Sequence, residues 1–158
     1  MKPSVYLEST IPSYLVARPS RDLIMAGHQQ VTQTWWRDHR DEFELYISQL
    51  VIRECEAGDP EMAAKRSAIL TGIKALEIGP ESLQLAIRLT AKGPLPSKAE
   101  NDAFHIAVAA VNAMDYLLSW NLKHILKGIE AICRYAGFEP PVICTPDTLL
   151  GEEEGYVE

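Results

Sequence analysis

Five short apolar runs alternate with helical patterns along this chain of 158 residues, and this alternation constrains the fold more than any other feature. The runs read SVYLE, FELYIS, KALEI, DYLLSW and PVICT, near residues 5, 45, 76, 117 and 143. Short strands that alternate with helices are typical of β–α–β units around a parallel sheet. The pattern therefore predicts an α/β fold with a five-stranded, mostly parallel sheet.

The spacing of apolar residues predicts helices between these strands. The predicted helices cover residues 22–38, 49–57, 60–72, 80–91, 98–112 and 123–136. Two of them begin with typical start signals, because Asp59 precedes Pro60 and because Pro80 is followed by Glu81. The Gly- and Pro-rich segment AKGPLPSK, 91–98, is predicted to be a loop inside one domain, since neither flanking piece has enough strands to close a core.

Length and composition indicate one globular domain. The apolar fraction is 47% and the charged fraction 23%, close to globular averages. No apolar stretch approaches the roughly 20 residues that cross a bilayer, and the start MKPSVYLEST lacks a long apolar segment of the signal-peptide type. We therefore expect a cytoplasmic protein without a membrane partner.

The cysteines and the net charge exclude several further classes. Cys55, Cys133 and Cys144 are odd in number and contain no C-x-x-C pair, so they predict buried thiols rather than disulfides or a zinc knuckle. A net charge of −7 argues against binding nucleic acid by phosphate neutralisation alone. It is compatible with an enzyme that holds one strand at an acidic pocket filled by metal.

Carboxylates follow the predicted strands at places that face a common edge of the sheet. In open parallel sheets, ligands bind beyond the carboxyl ends of the strands. Glu8 ends the first strand, and Glu54 lies on the helix after the second. Asp102 lies near the start of a later helix, in line with Ile106 and Ala109, so it is predicted to face the core side. An acid that faces the interior needs a partner or a cation.

The end of the fourth strand adds polar groups to this set. Ser119 and Asn121 end the run DYLLSW and its turn, and His124 follows. Three carboxylates and an amide are oxygen ligands of the kind that suit Mg²⁺ or Mn²⁺. Crowded carboxylates repel one another, so a cation is expected to stabilise the fold.

Several other residues allow both a structural and a functional interpretation. His105 is more often a packing histidine than a ligand, and His124 could contact phosphate or pack on its own helix. Trp35 and Trp36 could stack on bases, yet adjacent aromatics on an amphipathic helix usually lie half in the core. Glu8 is followed by Ile11 and Pro12, which predict a break after the strand.

Four separated segments resemble the successive motifs of the PIN domain, in particular its bacterial VapC-type toxin branch. They read YLESTIPSYL, LVIRECEAGD, NDAFHIAVAAVNAMDYLLSWNLKHI and ICTPDTLL, and they span nearly the whole chain. The resemblance implies a three-layer α/β/α sandwich over residues 1–150, with 151–158 as an acidic, frayed tail. It also implies that Glu8, Glu54 and Asp102 bind the divalent metal.

The resemblance further implies a ribonuclease selective for single strands. A water activated by the cation would attack the phosphodiester in line, and the cation would stabilise charge on the phosphoryl oxygens. Asn121 would complete the catalytic set. Water or phosphate would be oriented by Asn121 together with four other polar side chains: Ser9, Thr10, Ser119 and His124. The implied partners are RNA, an antitoxin protein that inserts a helix into an apolar groove, and a second copy of the chain.

Two departures from the family pattern support an alternative. The family usually has Asp where this chain has Glu8, and often a further Asp where it has Asn121. The alternative is a PIN-fold protein with weakened catalysis that acts as a binding or regulatory module. A receiver domain is excluded, because it needs an acid pair after the first strand and Lys after the fifth. An aspartyl-phosphate phosphatase is excluded, because ESTIP is not D-x-D-x-T.

Overall fold

The computed structural model describes residues 1–91, 100–122 and 128–151, and its centre is a five-stranded parallel sheet. All four strand pairings are parallel, and the order across the sheet is β3-β2-β1-β4-β5. This confirms the α/β class and each predicted strand. The strands are β1 (Ser4–Leu7), β2 (Glu44–Ser48), β3 (Lys74–Leu76), β4 (Tyr116–Leu118) and β5 (Val142–Cys144).

Seven α-helices lie in the described ranges, and with the sheet they make a PIN-like three-layer sandwich. Six correspond to predicted helices, although the pattern at 60–72 gives a helix that ends at Ile69. Within these ranges, two short 3₁₀ turns cover Arg40–Glu42 and Pro146–Leu149. The helices are α1 (Thr10–Val16), α2 (Leu23–Asp38), α3 (Gln49–Glu56), α4 (Pro60–Ile69), α5 (Pro80–Ala91), α6 (Glu100–Val111) and α7 (Ile129–Tyr135).

Parts of three predictions lie outside the described residues. The loop at 91–98 falls almost wholly on 92–99, and the start of the helix at 123–136 falls on 123–127. The acidic tail falls on 152–158 except for its first residue, Gly151. The extent of the domain, 1–150, therefore stays a prediction. No helix in the described ranges combines the length and the hydropathy needed to cross a bilayer.

Helix α1 corrects the predicted break after β1. Pro12 is the third residue of this helix, and Ile11 and Pro12 are both buried. Proline is tolerated there because the first N–H groups of a helix have no partner inside the helix. The same residues that suggest a break thus anchor a short helix directly behind Glu8.

The predicted start signal at Asp59 is confirmed as a helix cap. The Asp59 carboxylate accepts a 3.0 Å hydrogen bond from the Met62 N–H, and Pro60 occupies the first turn of α4. Asp22 caps α2 in the same way, by accepting from the Met25 N–H at 2.8 Å. A side-chain oxygen at this position satisfies one of the free N–H groups of the first turn.

The core lies around the central strand β1 and helix α6. Val5, Tyr6 and Leu7 have no exposed surface. Helix α6 is buried along most of its length, which explains why its sequence is apolar on nearly all sides. Its buried residues are Ala103, His105, Ile106, Ala107, Val108, Ala109 and Ala110.

The three cysteines are buried free thiols, as predicted. Burial raises the pKa of Cys55 and of Cys133 to about 11, and that of Cys144 to about 12. All three therefore carry their protons at neutral pH. A protonated, buried thiol is a weak nucleophile and a weak metal ligand.

Candidate metal centre

The register of the sheet brings the residues after β1 and β4 together. Leu7 pairs with Leu118, and the Glu8 N–H donates to the Leu118 carbonyl at 3.1 Å. Glu8 and Ser119 therefore emerge side by side at the carboxyl edge of the sheet. Glu8 is only 4% exposed, so its carboxylate is removed from most of the solvent. An acid in such a place requires strong compensating partners.

Four hydrogen bonds provide this compensation for Glu8. Its Oε1 accepts from the Thr10 N–H at 3.0 Å, from the Ser119 hydroxyl at 2.7 Å, and from the Thr10 hydroxyl. Its Oε2 accepts from the Ser9 hydroxyl at 3.0 Å. Each carboxylate oxygen has about two lone-pair sites. The Oε1 atom is thus fully engaged, whereas Oε2 keeps capacity for a further partner.

Backbone groups tie these hydroxyls to the turn after β4. The Trp120 N–H donates to the Thr10 hydroxyl oxygen at 3.0 Å, and the Asn121 N–H donates to the Ser119 hydroxyl oxygen at 3.0 Å. Both hydroxyls therefore accept from one turn while donating to Glu8. Asn121 itself is exposed at the rim of this site.

Glu54 approaches the same place from helix α3. Its side chain is 25% exposed, and its Oε1 lies 2.7 Å from Nε2 of His105, whose side chain is 1% exposed. Helix α3 starts directly at the end of β2, so its second turn lies beside the carboxyl edge. One acid thus comes from a strand end and the other from a neighbouring helix.

Glu8, Glu54 and His105 form the cluster that could hold a cation among the described residues. One ligand atom from each lies within 4.8 Å of the others. Two carboxylates at this separation favour a cation between them, since like charges in a poorly solvated place repel. The arrangement can therefore concentrate positive charge at the edge of the sheet.

The structure brings Glu8 and Glu54 together, whereas the third member of the 4.8 Å cluster is His105. Asp102 is half-buried on α6, three residues before His105 and thus on the same side of that helix. Its role as a metal ligand stays a prediction. His124 lies outside the described residues.

His105 continues into a buried chain of polar groups. Its Nδ1 lies 2.7 Å from the Tyr6 hydroxyl, which lies 2.7 Å from the Ser48 hydroxyl. All three residues have no exposed surface. Burial raises the pKa of Tyr6 far above its usual value, and the hydrogen bond with Ser48 opposes this only in part. Tyr6 is therefore a neutral phenol in the folded protein.

Sequence reasoning placed His105 in the core but did not connect it with Glu54. The sequence feature that indicated a place for His105 near the acids was its spacing of three residues from Asp102, which puts both on one side of α6. Tyr6 and Ser48 carried no signal as site residues, because a tyrosine within a strand and a serine before a helix are common structural residues.

Trp120 stacks with two other rings beside the acids. Its ring lies 5.8 Å from that of Tyr14, at 9° between planes, and 4.1 Å from that of His28, at 17°. The Trp120 indole N–H donates to the Thr32 hydroxyl at 2.9 Å. Burial, and then the charge of Glu8, raise the pKa of Tyr14, so this ring lies within the electrostatic reach of the acid.

The aromatic residues singled out from the sequence have another role. Trp35 has no exposed surface and packs against Trp36 and Phe43, so it belongs to the core. Trp36 is half-buried, and the Arg40 guanidinium lies 4.5 Å from the centre of its ring. Trp120, which sequence reasoning did not single out, is the tryptophan next to the acids.

Comparison with known proteins identifies a similar fold. No protein-family model matches the sequence, and no curated protein matches it. Among solved structures, the chain is similar to a chain of VapBC2 from Rickettsia felis bound to a DNA fragment from their promoter. The TM-score is 0.58 at 14% identity, over 89% of this chain and 97% of the other. At this identity the likeness shows the fold alone, a PIN-like three-layer arrangement.

Proposed function

We propose that this protein is a divalent-metal-dependent endoribonuclease that hydrolyses phosphodiester bonds of single-stranded RNA. The observation that carries the proposal is the convergence of Glu8 and Glu54 with His105 within 4.8 Å. This cluster lies beyond the carboxyl ends of parallel strands, where α/β sheets bind ligands. The PIN-like fold and the four motifs that resemble VapC-type toxins support the same activity.

The donor set fits a hard cation. Oε1 of Glu8 and Oε1 of Glu54 are engaged by protein donors, whereas Oε2 of Glu8 keeps lone-pair capacity. Glu8 and Glu54, together with Asp102, would hold Mg²⁺ or Mn²⁺ through carboxylate oxygens. When bound, such an ion stabilises charge on phosphoryl oxygens and makes a water more acidic.

The residues of the chain contribute orientation and specificity. Thr10 and Ser119 fix the carboxylate of Glu8, so it does not reorganise when substrate enters. Ser9 donates to Oε2, the oxygen of Glu8 that keeps lone-pair capacity, and the Asn121 N–H donates to the Ser119 hydroxyl. Ser9 and Asn121 are proposed, with Ser119, Thr10 and His124, to orient water or phosphate. A net charge of −7 disfavours the approach of phosphate, and a bound cation at this edge of the sheet would offset that repulsion.

We further propose that the enzyme is a cytoplasmic toxin with an antitoxin partner and that it forms a homodimer. Leu23 and Ile24, in the first turn of α2, are 87% and 71% exposed. Exposed apolar side chains of this kind suit a partner helix in a groove beside the early helices. The proposed contact between two copies of the chain is either helix α2 or helix α4.

One observation favours a second candidate, a binding or regulatory module. The four hydrogen bonds to Glu8 compensate its charge without any cation. A protein of this fold that had lost catalysis could keep Glu8 as a structural link between the turns after β1 and β4. Half-buried Glu54 beside it favours the nuclease, because a structural link needs only one acid.

The test is cleavage of pooled single-stranded and structured RNAs by purified protein with Mg²⁺, Mn²⁺ or EDTA. Glu54→Gln and Asp102→Asn are expected to abolish cleavage. Glu56→Gln and Glu100→Gln, at exposed positions of the same two helices, are the matched controls and should cleave like the wild type. Cleavage that continues in EDTA or in Glu54→Gln would contradict the metal mechanism, and complete inactivity with bound metal would favour the binding module.

A further inference from the structure

We infer that His105 is a positioning residue that fixes Glu54 through its Nε2–H and is not itself a ligand of the cation. The inference rests on the proposed metal site and assigns one of its three clustered residues a different role from the other two. It follows from the direction of the hydrogen bonds in the buried chain that joins Ser48, Tyr6, His105 and Glu54.

The direction is set at Ser48. This residue precedes α3 but makes no side-chain hydrogen bond to the helix, and it has no exposed surface. In the described part of the chain its hydroxyl has one partner, the Tyr6 hydroxyl at 2.7 Å. A buried O–H group without an acceptor is costly. Ser48 therefore donates its proton to the oxygen of Tyr6.

The positions of the Tyr6 and His105 protons follow from the direction of this first hydrogen bond. Because the Tyr6 oxygen accepts from Ser48, its own O–H donates to Nδ1 of His105 at 2.7 Å. An accepting Nδ1 carries no proton, so the neutral imidazole has its proton on Nε2. That Nε2–H donates to Oε1 of Glu54 at 2.7 Å. Each proton in this series of hydrogen bonds then has an acceptor.

The reverse direction fails at both ends. If Nδ1 donated to Tyr6 and Tyr6 donated to Ser48, the Ser48 O–H would lose its acceptor. A lone pair on Nε2 would then face the carboxylate of Glu54 at 2.7 Å. A doubly protonated ring would likewise leave one hydroxyl proton, that of Ser48 or that of Tyr6, without an acceptor. Coordination of a metal by Nε2 would therefore require the hydrogen bonds from Ser48 through Tyr6 to His105 to reverse their direction.

The consequence for the site is a ligand set made of oxygen alone. His105 fixes Oε1 of Glu54 and so presents the other carboxylate oxygen to the cation. A group that hydrogen-bonds to a metal ligand orients that ligand. Loss of such a group typically weakens metal binding about 10- to 100-fold. Oxygen ligands without an imidazole favour Mg²⁺ or Mn²⁺ over Zn²⁺.

Two substitutions at His105 test whether this residue acts as a hydrogen-bond donor to Glu54 or only packs in the core. In His105→Gln the amide nitrogen reaches the position of Nε2, whereas in His105→Asn it reaches only that of Nδ1. Calorimetric titration with Mg²⁺ should give the Gln variant nearly wild-type affinity and the Asn variant about 10- to 100-fold weaker binding. Thermal unfolding of both proteins verifies that they are folded.

A spectroscopic measurement on the wild type tests the same inference without a substitution. Nitrogen NMR of the His105 ring should show a protonated Nε2 and an unprotonated Nδ1, both before and after saturation with Mg²⁺. Loss of the Nε2 proton when metal binds would make His105 a ligand and overturn the inference, although the metal site would stand. Equal Mg²⁺ affinity of the Gln and Asn variants would also overturn it. A wild type that binds neither Mg²⁺ nor Mn²⁺ would instead overturn the proposed nuclease, and the inference with it.

Discussion

The Ser119 hydroxyl donates a 2.7 Å hydrogen bond to Oε1 of Glu8, across 111 residues of sequence. The contact exists because β1 and β4 are neighbours, with Leu7 paired to Leu118. It joins a residue after the first strand to a residue after the fourth strand. The two turns that carry the candidate site are therefore fixed to each other by a buried carboxylate.

Ser119→Ala should destabilise the protein by about 1–3 kcal/mol, because buried Glu8 loses a donor and the Asn121 N–H loses its acceptor in a partly buried place. Denaturation by urea measures the change. Ser67→Ala, at an exposed position of α4, is the control and should change stability by less than about 0.5 kcal/mol. Equal effects of the two substitutions would mean that the link between the turns adds little.

If the proposed metal site exists, Mn²⁺ should raise the melting temperature of the wild type, because the ion would bind the folded acids and not the unfolded chain. At 100 times the dissociation constant, the expected stabilisation is about 2.7 kcal/mol. Glu54→Gln should reduce this shift strongly, while Glu56→Gln on the same helix should keep it. A shift that is the same in all three proteins would place the ion elsewhere.

Tyr6→Phe should cost about 1–3 kcal/mol, since Ser48 loses an acceptor and Nδ1 of His105 loses a donor without any change in ring packing. Ser48→Ala should cost less in the Tyr6→Phe background than in the wild type, because the two hydroxyls act on each other. A double-mutant cycle by urea denaturation measures this coupling. Strictly additive effects would contradict the chain of hydrogen bonds.

The stability of the protein should fall as the pH rises above about 9. Burial raises the pKa of Cys55 and Cys133 to about 11 and of Cys144 to about 12, above the value of 9.0 for a free thiol. Between these values the unfolded chain releases thiol protons that the folded chain keeps, so unfolding becomes more favourable. Urea denaturation at pH 8 and pH 10.5, with reductant present, measures the loss. Cys144→Ala should reduce the pH dependence, and an unchanged slope would contradict this cause.

The strands, most helices and the approach of Glu8 to Glu54 could be predicted because they depend on local periodicity and on the rule that parallel strands share a carboxyl edge. The order of the strands could not be predicted from the sequence alone. The bond between Ser119 and Glu8 depends on that order, since it requires β4 to lie next to β1. Local patterns carry no information about which strands become neighbours.

The contacts of His105 and the helix α1 were missed for different physical reasons. The role of His105 depends on the distance between α6 and α3, which is set by packing and not by the sequence of either helix. Helix α1 was missed because Pro12 usually interrupts helices, whereas it lies here in the first turn, where it is tolerated.

The alanines of α6 connect core packing to the chemistry of the acids. Ala103, Ala107 and Ala109 have no exposed surface, so α6 lies close against its neighbours, and the same helix carries Asp102 and His105. A larger side chain at any of these alanines would displace the helix and move His105 away from Glu54. In a random mutagenesis screen, substitutions that weaken the candidate metal site should therefore occur at small core residues as well as at the acids. The geometry of the candidate site thus depends on three buried methyl groups as well as on its carboxylates.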